Sequence, residues 1–179
     1  MLKDVKIDST DSLFAEPIIN LKQINLIVGK NGTGKSYFLS QLFSHKIKNE
    51  HYVVEIKTTY SYDFIDILRK RIYSHYVFTH SKYEGCLIVL DNIGNDIHFS
   101  LLKDMWDELI DLIKDDKQIF ATTHSWDIIR ALYYSAREKD MLDNVNLMRF
   151  QKGKDGKIYA IYYDKDNFKT CVLSNIECR

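Results

Sequence analysis

Apolar residues in this chain fall into short, nearly unbroken runs separated by stretches with helical spacing. Ile24-Asn25-Leu26-Ile27-Val28 and Cys86-Leu87-Ile88-Val89-Leu90 have the continuity expected of parallel strands covered on both faces. Val53, Val54 and Ile56 mark a strand over 51–57, and a further short strand is expected over 118–122. Between the runs the period changes. A helix is expected from about Tyr37 to near His45. Phe64, Ile65, Leu68, Ile72 and Tyr76 share one face of a helix over 62–76. Leu101, Leu102, Met105, Trp106, Leu109, Leu112 and Ile113 repeat at the same spacing, with Asp104, Asp107, Glu108 and Asp111 on the solvated face. A further helix is expected over 125–138. Near the start, Val5 and Ile7 alternate with charges like an edge strand, a polar cluster at 8–12 reads as a turn, and 14–21 reads as a second short strand partly demoted by Pro17. Near the end, 146–151 and 157–163 flank Lys152-Gly153-Lys154-Asp155-Gly156, a hairpin signal. These elements predict an α/β fold: a mainly parallel sheet with helices on both faces, N-terminal edge strands and a C-terminal β-hairpin.

Composition narrows the class. The chain has 179 residues, 45% of them hydrophobic, with one proline and seven glycines, which suits one globular domain over 1–179. Lys plus Arg and Asp plus Glu both number 25, so no global charge draws the chain to nucleic acid or anionic lipid. No segment reads as a signal peptide or a membrane span. Three cysteines make an odd count with no Cys-x-x-C spacing, which argues against a disulfide framework or a zinc site and for a reducing, cytoplasmic setting.

The chemistry enters directly after the first buried run. Residues 29–36 read Gly-Lys-Asn-Gly-Thr-Gly-Lys-Ser, a glycine-rich loop between strand and helix. Its glycines allow backbone N–H groups to close on a polyphosphate, and the following helix start favours negative charge. Asn31, Gly32, Thr33, Gly34, Lys35 and Ser36 are therefore the candidate nucleotide-binding residues. In this pattern the lysine reaches the β and γ phosphates and the serine hydroxyl ligates Mg²⁺. A second apolar run ends in Asp91, which places a carboxylate at the carboxyl edge of a parallel sheet and makes it a candidate Mg²⁺ holder with Ser36. A third string, Ala121-Thr122-Thr123-His124-Ser125, again ends a strand at that edge. His124 is a candidate for contacting the γ-phosphate or the attacking water. Ser125 before Trp126-Asp127-Ile128 also reads as a plain helix cap, with His124 merely preceding it.

Together these three strings resemble the ATP-binding-cassette (ABC) branch of the P-loop NTPases. Within it they are most similar to the ATPase domain of the overcoming-lysogenisation-defect (OLD) group and related small AAA-type ATPases of prokaryotes and phages. The stretch from Asp91 through His98 to Leu109 resembles that group's Asp-Glu…Leu-His segment, and the tail from Met148 to Arg179 resembles its closing hairpin. The resemblance implies ATP and Mg²⁺ as ligands and a homodimer or an effector protein as partner, with relatives acting in phage defence or DNA processing.

The chain also departs from that pattern. Where relatives carry glutamate after the aspartate, it has Asn92, an amide that orders water but accepts no proton. Losing a general base typically costs about 10²–10⁴-fold in rate. No Leu-Ser-Gly-Gly-like signature occurs, the stretch between Lys35 and Asp91 reads as a minimal core without the helical arm or lid that relatives insert, and no attached nuclease domain is expected. The expectation is an ATP-binding protein with slow or partner-activated hydrolysis, in which Asn92 and His124 order water. The alternatives are a non-hydrolysing, nucleotide-gated regulatory module, a small phosphotransferase with Arg69-Lys70-Arg71 as lid, and direct DNA binding, which the neutral charge does not support. Phe14 is a candidate adenine-stacking residue, with core packing the competing role. Lys152, Lys154 and Lys157 read as solubilising charges.

Overall fold

The computed structural model describes residues 1–3, 13–42, 52–57, 85–94, 97–113 and 117–178. The strand expected at Val5 and Ile7, the end of the helix near His45 and the helix over 62–76 with Arg69 to Arg71 lie outside these residues. The described elements run β1 (Ile24–Val28), α1 (Lys35–Gln41), β2 (Tyr52–Lys57), β3 (Cys86–Asp91), α2 (Leu102–Leu112), β4 (Lys117–Thr122), α3 (Trp126–Glu138), β5 (Val145–Lys152), β6 (Ile158–Tyr163) and α4 (Lys165–Leu173).

They form one six-stranded sheet in the order β2-β3-β4-β1-β5-β6. The first five strands in that order are parallel, and β6 returns antiparallel to β5. Alternate residues of each buried strand serve opposite faces. Ile24, Leu26 and Val28 join Ile88, Leu90, Ile119 and Leu147 in a core roofed by α2, α3 and α4. Ile27, Leu87, Val89, Phe120 and Met148 join the opposite core, under α1 and the segment carrying Phe14, Ile18 and Leu21. Helices on both faces were expected, and this double cover explains the lack of polar alternation in the strands.

Three details differ from the sequence reading. The 14–21 segment makes isolated bridges, one of them parallel between Phe14 and Ile158, rather than a continuous strand. Phe14 is buried and packs edge-on to Phe150 with ring centroids 5.0 Å apart, so its role is core packing. The tail contains α4, which the hairpin reading left out. Asp164 caps it, accepting from Asn167 N–H at 2.7 Å, and Phe168, Cys171 and Val172 bury one side. The hairpin itself is as expected, its turn held by Asp155, which accepts from Lys157 N–H at 3.1 Å and from the Tyr159 hydroxyl at 2.8 Å. All three cysteines are free and buried.

Candidate functional site

Strand order decides which loops meet. β4 lies between β1 and β3 and all three are parallel, so their carboxyl ends emerge at one edge of the sheet. At about 4.8 Å per strand, the exits of β1 and β3 lie about 10 Å apart, with the exit of β4 between them. The 29–34 loop, Asp91 with Asn92, and Thr122 to Ser125 therefore share one rim.

The loop follows from its glycines. Gly29, Gly32 and Gly34 all have positive φ, at 139°, 76° and 78°. Gly34 is the N-cap of α1, and no side chain caps that helix. Its first-turn amides thus donate no hydrogen bond to a cap side chain, at the place where a phosphate would sit. Thr33 turns inward, its hydroxyl donating to Lys30 O at 2.8 Å, so it closes the turn. Lys35 is buried, and its Nζ donates to Gly29 O at 2.8 Å and Lys30 O at 2.9 Å. Burial pushes the Lys35 ammonium below the ordinary lysine range, opposed by the negative charge of Asp91, which raises it. That interaction joins the loop electrostatically to the end of β3. Asn31, Gly32 and Ser36 are exposed on the loop and the first turn of α1.

At the end of β3, Asp91 is half-buried and Asn92 is exposed with φ 56°, the left-handed region that asparagine tolerates better than most residues. Thr122, buried at the end of β4, ties both to its own strand. Its hydroxyl donates to Asp91 Oδ1 at 2.5 Å and accepts from Asn92 N–H at 2.7 Å. Its carbonyl accepts from Ile93 N–H at 2.8 Å. Thr123, also buried, donates to Ile93 O at 2.9 Å and accepts from Ser125 N–H at 3.1 Å. Ser125 caps α3, accepting from Ile128 N–H at 3.4 Å, and half-buried His124 immediately precedes that cap. Sequence reasoning singled out His124 from this string and passed over Thr122 and Thr123, because threonine in an apolar strand reads as ordinary β-propensity.

The donor set fits a small hard cation: one carboxylate and one hydroxyl beside the 29–34 loop, the sparse protein ligation that Mg²⁺ takes when phosphate oxygens and water complete its shell. No cluster of three or more His, Cys, Asp or Glu able to hold a metal occurs among the described residues, so a cage made of protein alone is not what these residues form. No helix among them is long and apolar enough to cross a membrane.

No family model matches the chain. A protein of Helicobacter pylori named "ATP/GTP phosphatase" is 31% identical over 107 residues, covering 58% of this chain and 28% of that protein. The chain thus spans less than a third of that relative's length. Among solved structures, CbiO1 from Clostridium perfringens, part of the ABC transporter complex CbiONQ, superposes with a TM-score of 0.51 at 15% identity, covering 88% of this chain and 84% of that one. ATPases 2 and 3 of EssC from Geobacillus thermodenitrificans align less closely, at a TM-score of 0.45 and 12% identity over 79% of this chain and 32% of that one. The CbiO1 superposition agrees with the sheet described above: this chain has the mainly parallel α/β fold of the P-loop NTPases.

Proposed function

We propose that this chain binds ATP with Mg²⁺ and hydrolyses it slowly or on contact with a partner, as a cytoplasmic ATPase domain of the ABC and OLD-like kind. The observation that carries the reading is the placing of β4, which puts the phosphate loop, Asp91 and the 122–125 string on one rim with Lys35 under the influence of Asp91. The name of the Helicobacter pylori relative fits nucleoside triphosphate hydrolysis.

The chain's own groups divide the work. The amides of 29–34 and the start of α1 receive phosphate oxygens. Lys35 exchanges its carbonyl partners at Gly29 and Lys30 for phosphate oxygens, which offsets the cost of its burial. Ser36 and Asp91 would hold the cation, which when bound would supply positive charge opposite the phosphoryl oxygens. Asn92 and His124 orient water. Because the Asn92 amide accepts no proton, turnover stays low. Calorimetry with and without Mg²⁺, on wild type and Lys35→Ala, tests the assignment. Affinity is expected to fall sharply in the variant, and equal affinity for both proteins defeats the reading.

Exposed Asn92 also favours a second reading, in which nucleotide gates docking of a second copy or an effector with negligible catalysis. Light scattering in ATP against ADP separates the two. A strict monomer in both, with measurable turnover, rules out gated self-assembly.

A further inference from the structure

We propose that Thr122 is a positioning residue for the divalent cation, acting through Asp91. This deepens the nucleotide reading and rests on it. The Thr122 hydroxyl has one proton. The Asn92 backbone N–H can only donate, so the hydroxyl must accept there, at 2.7 Å. Its proton is then committed to Asp91 Oδ1, at 2.5 Å. The network has a single polarity, and the group that receives the proton is a carboxylate, the stronger kind of acceptor. One hydroxyl thereby bonds both the Asp91 carboxylate and the backbone that follows it, and helps to orient the carboxylate.

The surroundings make Thr122 hard to replace. It is buried, it sits on β4 with β1 and β3 paired on either side, and its β-branched side chain has little χ1 freedom. Its carbonyl holds Ile93 N–H as well, so both polar arms of the residue grip the chain leaving β3. Thr123 provides an internal comparison. It is equally buried and its hydroxyl also makes two bonds, but these go to Ile93 O and Ser125 N–H and not to the carboxylate. Losing either hydroxyl weakens the fold. Of the two hydroxyls, only that of Thr122 bonds the Asp91 carboxylate.

The test reads the Mg²⁺ enhancement of ATP affinity, the ratio of dissociation constants in EDTA and in Mg²⁺, by calorimetry below the melting midpoint of every variant. Removing the partner that orients a metal ligand typically lowers metal affinity about 10–100-fold. Thr122→Val is therefore expected to cut the enhancement at least about tenfold while leaving Mg²⁺-free ATP affinity unchanged, and Thr122→Ser is expected to restore it. Thr123→Val is expected to lower the melting temperature with the enhancement intact. An unchanged enhancement in Thr122→Val, or an equal loss in Thr123→Val, overturns the assignment. If Thr122→Val does not fold, Thr122→Ala takes its place under the same criteria. Wild type that binds no ATP overturns the nucleotide reading itself, which is a different outcome from wild type that responds to Mg²⁺ beside an unaffected Thr122→Val.

Discussion

Two glycines of the same loop are expected to fail in different ways when a methyl group is added. At Gly29 a Cβ would overlap the carbonyl oxygen of Phe150 on β5 and lie 2.9 Å from Thr33 Oγ1, with φ at 139°. The obstructing atom is backbone in a strand paired to β1, so it cannot rotate away. At Gly32 nothing lies within 4 Å, and only the positive φ of 76° opposes a side chain. Gly32→Ala should therefore cost about 1 kcal/mol, the lower end for a left-handed non-glycine residue. Gly29→Ala adds about 1–3 kcal/mol of overpacking to a similar backbone cost. For a domain of this size each kcal/mol moves the melting temperature by about 2–4 °C. Gly32→Ala should then melt roughly 2–4 °C below wild type, and Gly29→Ala roughly 4–16 °C below. Binding should reverse the order of interest: Gly32→Ala, well folded, should lose ATP affinity because its methyl stands where a phosphate must approach the backbone. Thermal melts without nucleotide, followed by calorimetry at a temperature where both are folded, measure the two effects. A Gly29→Ala protein as stable as Gly32→Ala would refute the steric argument. Undiminished ATP affinity in Gly32→Ala would refute the placing of the phosphate.

Three further outcomes are expected. Burial lowers the Lys35 pKa, so the unfolded chain holds this proton more tightly than the folded one; between the lowered value and the ordinary 10.5, stability of the free protein should rise with pH. ATP affinity should fall through the same window as the ammonium is lost, and a profile for wild type that matches Lys35→Ala would exclude that titration. Asn92→Glu should raise ATP turnover by supplying a proton acceptor, while its left-handed backbone costs about 1 kcal/mol. Unchanged turnover with intact ATP binding would show that position 92 does not face the attacking water.

The parts of the fold that sequence patterning reveals are those whose physics is local. β1 and β3 stand out because both faces of each are covered, and the phosphate loop because its glycines are spaced for positive φ. α4 escaped because only Phe168, Cys171 and Val172 of its nine residues are buried, too few to set a clear period. Its best signal was Asp164, three residues before Asn167 and ahead of a spaced apolar pair. The Thr122 network escaped for another reason. Its partners lie about thirty residues away, on a strand whose adjacency only the sheet order reveals. Lys35 reads from the sequence as a candidate phosphate ligand, but its engagement with the Gly29 and Lys30 carbonyls depends on how the loop closes.

The sheet order carries a consequence for motion. β1, β3 and β4 are each hemmed by a hydrogen-bonded neighbour on either side, so none can slide without breaking two ladders at once. On the proposed function, differences between the empty and the nucleotide-bound protein are expected outboard of the strands, in 29–34, 92–94 and the approach to α3. Amide exchange would register this as a slow centre beneath a faster margin, with loading slowing the margin and leaving the centre as it was.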